Sequence, residues 1–354
     1  MKKFVWAMVA AVAVGLMACG GKAAANGSDA QAGGDGSAEG SVLMAPVEAD
    51  ADSLFGFVET QVDFGPRTPG SDSHAACRRY LIESLKRYGV DTVMVQAAPV
   101  TTWKGEKQTA WNILGRINPE ATDRILLLAH YDTRPWADED PREEYRDTPI
   151  DGANDGASGV AVLLETARCL QKNRPDSIGI DLLLVDMEDS GRSGGGDEES
   201  WCLGTQKWVE AMPYGTTDRP MYGILLDMVG GKDAVFHREY LSQTYAKSIV
   251  DKVWALANAS GHADRFPNSM GGSVIDDHLY VNQAGIPCVD IIESSNPHTG
   301  SFNPTWHTTS DNLASIDRET LRVVTQVVLN LLYLEDGKIL TPRVTSQRQK
   351  RLNI

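Results

Sequence analysis

The chain has 354 residues, 42% of them hydrophobic, and 48 acidic side chains outnumber 33 basic ones to give a formal net charge of -15. That length can bury one large or two small cores. The charge disfavours nucleic acid as a partner, because a phosphate backbone is bound through a basic surface.

Met1-Lys2-Lys3 followed by the apolar run Phe4 to Ala18 reads as an export signal, since the run is too short to span a bilayer as a permanent helix. Its end, Leu16-Met17-Ala18-Cys19, resembles the bacterial lipobox. That resemblance implies a lipoprotein signal peptide over residues 1-18 and lipidation of Cys19. The protein would then sit on the cell envelope, facing the periplasm or the outside, with the lipid as its only membrane contact. Residues 20 to 50 are rich in Gly, Ala, Ser and Asp and carry no hydrophobic period, so 19-50 is expected to be a flexible linker. The folded part is expected to start near Pro46 to Leu54.

Leu54, Phe55, Val58 and Val62 recur at helical spacing and lead into the breaker-rich turn Phe64 to Gly70. Ser71 to Tyr88 reads as a second helix, with Ser71 or Asp72 as its cap and Gly89 as its stop. Val90 to Val100 and Trp111 to Ile117 look like two strands at a sheet edge, and Ile125 to Ala129 like a third, buried strand. Residues 133 to 150 form a long polar loop, a length that usually marks function or mobility. Helix 157 to 172, strand 178 to 187, helix 203 to 211, strand 221 to 226, helices 240 to 260 and 276 to 284, strand 287 to 293 and helix 317 to 335 complete the order. Strands alternating with helices predict a single α/β domain over 51-340, with a mixed, mostly parallel central sheet covered by helices on both faces. Residues 341-354 read as a basic tail. Cys77, Cys169, Cys202 and Cys288 show no C-x-x-C spacing, and buried free thiols fit their apolar contexts at least as well as disulfides.

Three strand-like runs end in metal-ligand residue types. Ile125 to Ala129 leads to His130-Tyr131-Asp132, Ile180 to Val185 to Asp186-Met187-Glu188-Asp189, and Ile224 to Leu226 to Asp227. In an open α/β sheet ligands bind at the carboxyl ends of the strands, so these ends converge on one cleft. The glycine-punctuated turn Asp151 to Gly159, centred on Asp155, leads into a helix at the same end. Zinc takes imidazole nitrogen and carboxylate oxygen, and His130, Asp155, Asp189, Asp227 and His307 are the candidates. Each alone is explained by a cap or a structural hydrogen bond. Five at strand ends or adjoining loops are a stronger signal. Glu188 and Asp189 are neighbours and point in different directions, so one can bind metal while the other faces substrate as a base.

His130-Tyr131-Asp132, the Asp155 turn, Glu188-Asp189, Leu226-Asp227 and Trp306-His307 resemble, in order and content, the zinc-dependent aminopeptidase and glutaminyl cyclase superfamily, over roughly residues 55 to 335. Asp276-Asp277-His278 followed by Gly285-Ile286-Pro287, and Trp306 to Asp311, resemble the secreted glutaminyl cyclases within it. The resemblance implies conversion of N-terminal glutamine of peptides to pyroglutamate with release of ammonia. It also implies a catalytic zinc held by Asp155, Asp189 and His307, with Glu188 as general acid/base and Asp227 and Asp276 in a hydrogen-bond network beside it. Trp306 would line the pocket. His130 and Asp227 are candidates for a second zinc site, so one ion is expected and two are possible. A two-zinc aminopeptidase needs the same five ligands and is the alternative. A metal-free binding lipoprotein is disfavoured, because no ligand position is vacant.

Three departures are visible. Asp189 stands where the animal cyclases carry glutamate, and Ala129 where they carry a cysteine, so their site-adjacent disulfide is absent. The loop Ser190 to Ser200 does not match, which leaves Trp201 as the candidate substrate-contacting aromatic. In related enzymes the peptide after the bridging aspartate is often cis, and the same is expected here of Asp155-Gly156.

Overall fold

The computed structural model describes residues 41-215, 217-337 and 341-344. The expected signal peptide 1-18, the lipidation residue Cys19, linker residues 19-40 and tail residues 345-354 lie outside the described residues.

Asp50 caps helix α1 (Ala51–Val62) by accepting the amide of Ser53. Of the two candidate caps for helix α2 (Asp72–Arg87), Ser71 holds the position, with its side chain on the amide of His74. Six strands form the central sheet: β2 (Thr92–Thr101), β3 (Lys107–Ile117), β4 (Arg124–His130), β5 (Gly179–Val185), β6 (Tyr222–Leu226) and β7 (Cys288–Ile291). Their spatial order is β2-β3-β5-β4-β6-β7. The pairs β2/β3 and β3/β5 are antiparallel, while β4/β5, β4/β6 and β6/β7 are parallel.

The central strands are buried along their whole length, which explains their unbroken apolar sequence. Alternate residues still serve different layers. Ile125, Leu127, Ile180, Leu182 and Leu184 join the core shared with α1, α3 (Ala157–Lys172) and α8 (Arg318–Glu335). Leu126, Leu128, Leu183, Val185 and Leu225 face the other way, against Trp208 of α4 (Leu203–Glu210) and Val281 of α7 (Asp277–Gln283). The expected mixed sheet with helices on both faces is what the chain forms. All four cysteines among the described residues are buried and free.

Two expectations need correction. The helix read over 240 to 260 is two, α5 (Tyr240–Tyr245) and α6 (Lys247–Ala259), broken where Ala246 leaves helical geometry at φ -130°, ψ 34°. The amide of Asp290 in β7 donates to Ser242 Oγ at 2.9 Å and ties α5 to the sheet, while α6 packs on α8. The ordered domain also runs past 51-340 at both ends. Strand β1 (Ser41–Met44) pairs antiparallel with β8 (Thr341–Val344). The amides of Ala45 and Ala49 donate to Asn330 Oδ1 and Gln326 Oε1 on α8. Backbone hydrogen bonding of this kind carries no hydrophobic period, so composition alone read the segment as tether.

Candidate active site

Strands β4, β5 and β6 run parallel, so their carboxyl ends lie on one side of the sheet. His130 closes β4, Glu188 and Asp189 follow β5, and Asp227 follows β6. The loops before α3 and α8 add Asp155 and His307, and Asp276 caps α7 from the same side. All seven side chains are nine-tenths or more buried.

Asp155 stands between the two imidazoles. Its Oδ1 lies 3.0 Å from His130 Nε2 and its Oδ2 3.7 Å from His307 Nε2. His130 Nε2 is also 3.2 Å from Asp227 Oδ1, and His307 Nε2 is 3.2 Å from Asp189 Oδ1. The five residues singled out as metal-ligand types thus meet at one place.

Side chains behind the site aim them. The two oxygens of Asp132 accept the amides of Glu188 at 3.1 Å and Asp189 at 3.2 Å. Asp311 does the same for Asn154 at 2.8 Å and Asp155 at 3.1 Å. The buried guanidinium of Arg67 donates to the carbonyls of Tyr131, Asp151 and Gly152 and clamps the turn. A Cβ on Gly156 would stand 2.4 Å from the carbonyl oxygen of His130, so the turn can pass this close only as glycine. The Asp155-Gly156 peptide is not cis: no peptide bond among the described residues is. The Asp311 carboxylate, which accepts the amides of Asn154 and Asp155, holds the turn that carries the Asp155 side chain. Met187, Cys202, Met228 and His307 have φ between 49° and 59°. Left-handed backbone in non-glycine residues costs energy and gathers at functional sites.

Burial drives the electrostatics. It pushes the Glu188 carboxyl well above the usual range, with Asp276 and Asp189 adding to the effect and His130 opposing it. Asp276 is raised well above its usual value by burial and by Asp227. Burial also raises Asp227, against the pull of His130. For His130 burial works downward, but Asp132, Asp155 and Asp227 outweigh it and the imidazole is raised well above normal. Arg134 Nη1 touches Asp189 Oδ1 at 3.2 Å and supplies one fixed positive charge.

This donor set suits a divalent metal. Asp155, Asp189 and His307 each offer a ligand atom within 4.8 Å of the others. Asp189 Oδ2 is buried without a hydrogen-bond partner. His307 turns Nδ1 towards Asp138 Oδ1 at 3.5 Å, which leaves Nε2 to ligate. Two carboxylates and an imidazole backed by a second carboxylate match the preference of zinc for nitrogen and oxygen. His130, Asp155 and Asp227 form a second trio of the same kind.

A cleft of about 490 Å³ opens over these residues. Its floor carries Asp155, Glu188, Asp189, Asp227 and Asp276, and its walls include Phe302, Trp201 and Trp306. The Trp306 ring stacks on His307 at 3.7 Å and 22°, and packs against Phe302 at 4.7 Å. Trp201 lies near-parallel to His307 at 6.0 Å. Both tryptophans singled out from the sequence are therefore cleft walls. Asp132 and Asp311 belong to motifs legible in the sequence, His130-Tyr131-Asp132 and Trp306 to Asp311, but their roles were not; Arg67, Arg134 and Phe302 carried no signal.

Residues 112-332 match the model of peptidase family M28. Among curated proteins, the glutaminyl-peptide cyclotransferase of Bos taurus is 25% identical over 298 residues, 76% of this chain and 79% of that one. Two solved structures each cover 82% of this chain and 99% of their own, with a TM-score of 0.78. One is Bacteroides thetaiotaomicron glutaminyl cyclase bound to N-acetylhistamine, 45% identical. The other is a Zn-dependent exopeptidase from Parabacteroides distasonis, 44% identical.

Proposed function

The chain belongs to peptidase family M28, and from that premise we propose that it is a zinc-dependent glutaminyl-peptide cyclotransferase, which closes N-terminal glutamine of peptides to pyroglutamate and releases ammonia. The observation that carries the reading is the position of Glu188. It is a buried acid with a raised pKa, one residue from Asp189 of the metal-ligand trio, on the floor of a cleft with aromatic walls.

Asp155, Asp189 and His307 would hold a single zinc. When bound there, zinc supplies a Lewis acid that polarises the γ-carbonyl oxygen of the glutamine. Glu188 takes a proton from the α-amino group and returns one to the departing amide nitrogen, the two transfers that one positioned carboxyl can carry in turn. The acidic floor attracts and orients the α-ammonium. Asp276 Oδ2, buried without a partner, is free to accept a hydrogen bond from that group. Asp227, bonded to His130, completes the network. Trp306 and Trp201 flank the reacting carbonyl and exclude water, which would otherwise hydrolyse the amide.

The substrate brings its own nucleophile, and intramolecular attack of this sort reaches effective molarities on the order of 10⁵ M. No metal-generated hydroxide is then required. One zinc, held by the Asp155, Asp189 and His307 trio, would then suffice. Anchoring through a lipid on Cys19 is part of the same proposal, supported by the Leu16-Met17-Ala18-Cys19 pattern. Firm retention needs more than one acyl chain. In cells the full-length chain should follow the membrane fraction and Cys19→Ser should not.

The deciding experiment offers purified protein a glutaminyl peptide and a leucyl peptide, and measures ammonia, pyroglutamyl product, free leucine and bound zinc. Ammonia and pyroglutamyl peptide with one zinc per chain is the expected result. Free leucine with two zincs would replace the reading by an aminopeptidase.

A further inference from the structure

Cys202 is a buried thiol that the proposed chemistry does not use, yet it touches the group on which that chemistry turns. Its Sγ lies 3.4 Å from Glu188 Oε1. Asp276 offers a carboxylate oxygen within 4.8 Å of both. The residues are 0%, 8% and 2% exposed, and Asp276 Oδ2 has no hydrogen-bond partner.

We propose that Cys202, Glu188 and Asp276 form an inhibitory metal site, separate from the Asp155, Asp189 and His307 trio, which takes a thiophilic divalent ion such as excess zinc or cadmium. The proposal rests on the role given above to Glu188, because an ion held by that carboxylate removes the proton carrier.

The geometry is built in advance. The amide of Cys202 donates to the carbonyl of Glu188 at 3.0 Å, and the amide of Leu203 to that of Met187 at 2.9 Å, so the start of α4 is locked onto the end of β5. A Cβ on Gly204 would stand 1.9 Å from the carbonyl oxygen of Asp186, which shows how closely the two elements approach. Cys202 takes a left-handed φ of 54° in this lock. Metal–sulfur and metal–oxygen bonds of about 2.3 and 2.0 Å at a tetrahedral angle place sulfur and oxygen about 3.5 Å apart. For zinc the observed 3.4 Å between Cys202 Sγ and Glu188 Oε1 needs almost no adjustment, while the Asp276 oxygen, within 4.8 Å of both, has to move in on binding.

Charge and access favour the same conclusion. Glu188, Asp276, Asp277 and Asp227 crowd together, and His130 is the cationic group acting on them. Glu188 and Asp276 line the cleft, so an ion reaches them from solvent. A thiolate beside two carboxylates selects soft or borderline metals over magnesium or calcium. Binding must expel the thiol proton, which sets this site apart from a resident cofactor site that fills at trace metal.

The test uses protein loaded with one equivalent of zinc and titrated with cadmium. Bound cadmium, retained zinc and ultraviolet thiolate-to-cadmium charge-transfer absorption are followed without substrate, and turnover of a glutaminyl peptide in parallel at the same cadmium concentrations, in the wild type, Cys202→Ser and Cys202→Ala, each referred to its own initial activity. The wild type should take up a further equivalent of cadmium, show the thiolate band, keep its zinc and lose activity in step. Both variants should lose the band and need more cadmium for the same inhibition, because the soft ligand is gone. A zinc-loaded wild type without the band would overturn the site whether or not the variants fold. So would a variant inhibited at the wild-type concentration. Binding and absorption are read without substrate, so an enzyme inactive on glutaminyl peptides would refute the proposed function and leave this result standing.

Discussion

Asp311 holds the backbone amide of Asp155 at 3.1 Å, and through that bond a residue near the C-terminal helix fixes the carboxylate that faces both His130 and His307. Its other oxygen takes the amide of Asn154, so the pair of bonds sets the turn's rotation as well as its position. Groups that orient metal ligands are worth about 10- to 100-fold in metal affinity. Asp311→Ala should weaken zinc binding by that factor in chelator competition, and Asp311→Asn, which keeps one acceptor oxygen, by less. Equal affinity in all three proteins would show that the turn holds itself.

Ligand and proton carrier should separate cleanly. His307→Ala is expected to lose both zinc and activity. Glu188→Gln should keep one zinc per chain and lose about 10²- to 10⁴-fold in turnover, the usual worth of a positioned acid/base. Elemental analysis beside an ammonia assay reads both, and zinc loss in the glutamine variant would count against its role.

Trp306 is half-buried, packed on Phe302 and His307 at the mouth of the cleft. Trp306→Ala should lower kcat/KM for glutaminyl peptides by about tenfold or more, about 1.4 kcal/mol. A chain of this size loses only about 1 to 2 °C of Tm per kcal/mol. A large fall in Tm with kcat/KM unchanged would make it a packing residue.

Glu239 links acidity to stability. Its carboxylate accepts the amides of Leu241, Ser242 and Val274, and faces His278 Nε2 at 3.2 Å. Burial acts to raise its pKa, but His278 and the amides outweigh that and bring it to about 2 from 4.5. A lowered carboxyl pKa contributes stability that is fully present above the unfolded value and is lost as pH falls through the folded one. Glu239→Gln should therefore be less stable than wild type at neutral pH, with the gap closing between about pH 4.5 and 2. Denaturant midpoints measured across that range test it, and a gap independent of pH would remove the charge from the explanation.

Much of the site was legible because its residues sit at strand ends. Apolar runs that stop at His130, at Glu188-Asp189 and at Asp227 can be read along the chain, and motif content added Asp155, Asp276 and His307. Trp201 and Trp306 were legible as aromatics beside those motifs. Arg134 was not: it lies in a polar loop, and its contact with Asp189 spans 55 positions. The same holds for β1, whose partner β8 lies at the far end of the chain.

The sequence by itself determined the alternation of strands and helices, and with it a parallel core whose strand ends must lie on one side. That follows from local periodicity and from the handedness of crossover connections, which act between neighbours in the chain. Only the tertiary structure decided how the ligands are aimed. Arg67 reaches the Asp155 turn across 84 positions and Asp311 across 156, and a hydrogen bond between distant positions leaves no mark in either local pattern. The same long-range bonds hold Asp155 in place with a trans peptide after it, and the tie from Asp290 to Ser242 accompanies the break between α5 and α6. Periodicity selects the elements, while the buried polar groups that must find partners once those elements pack determine the site.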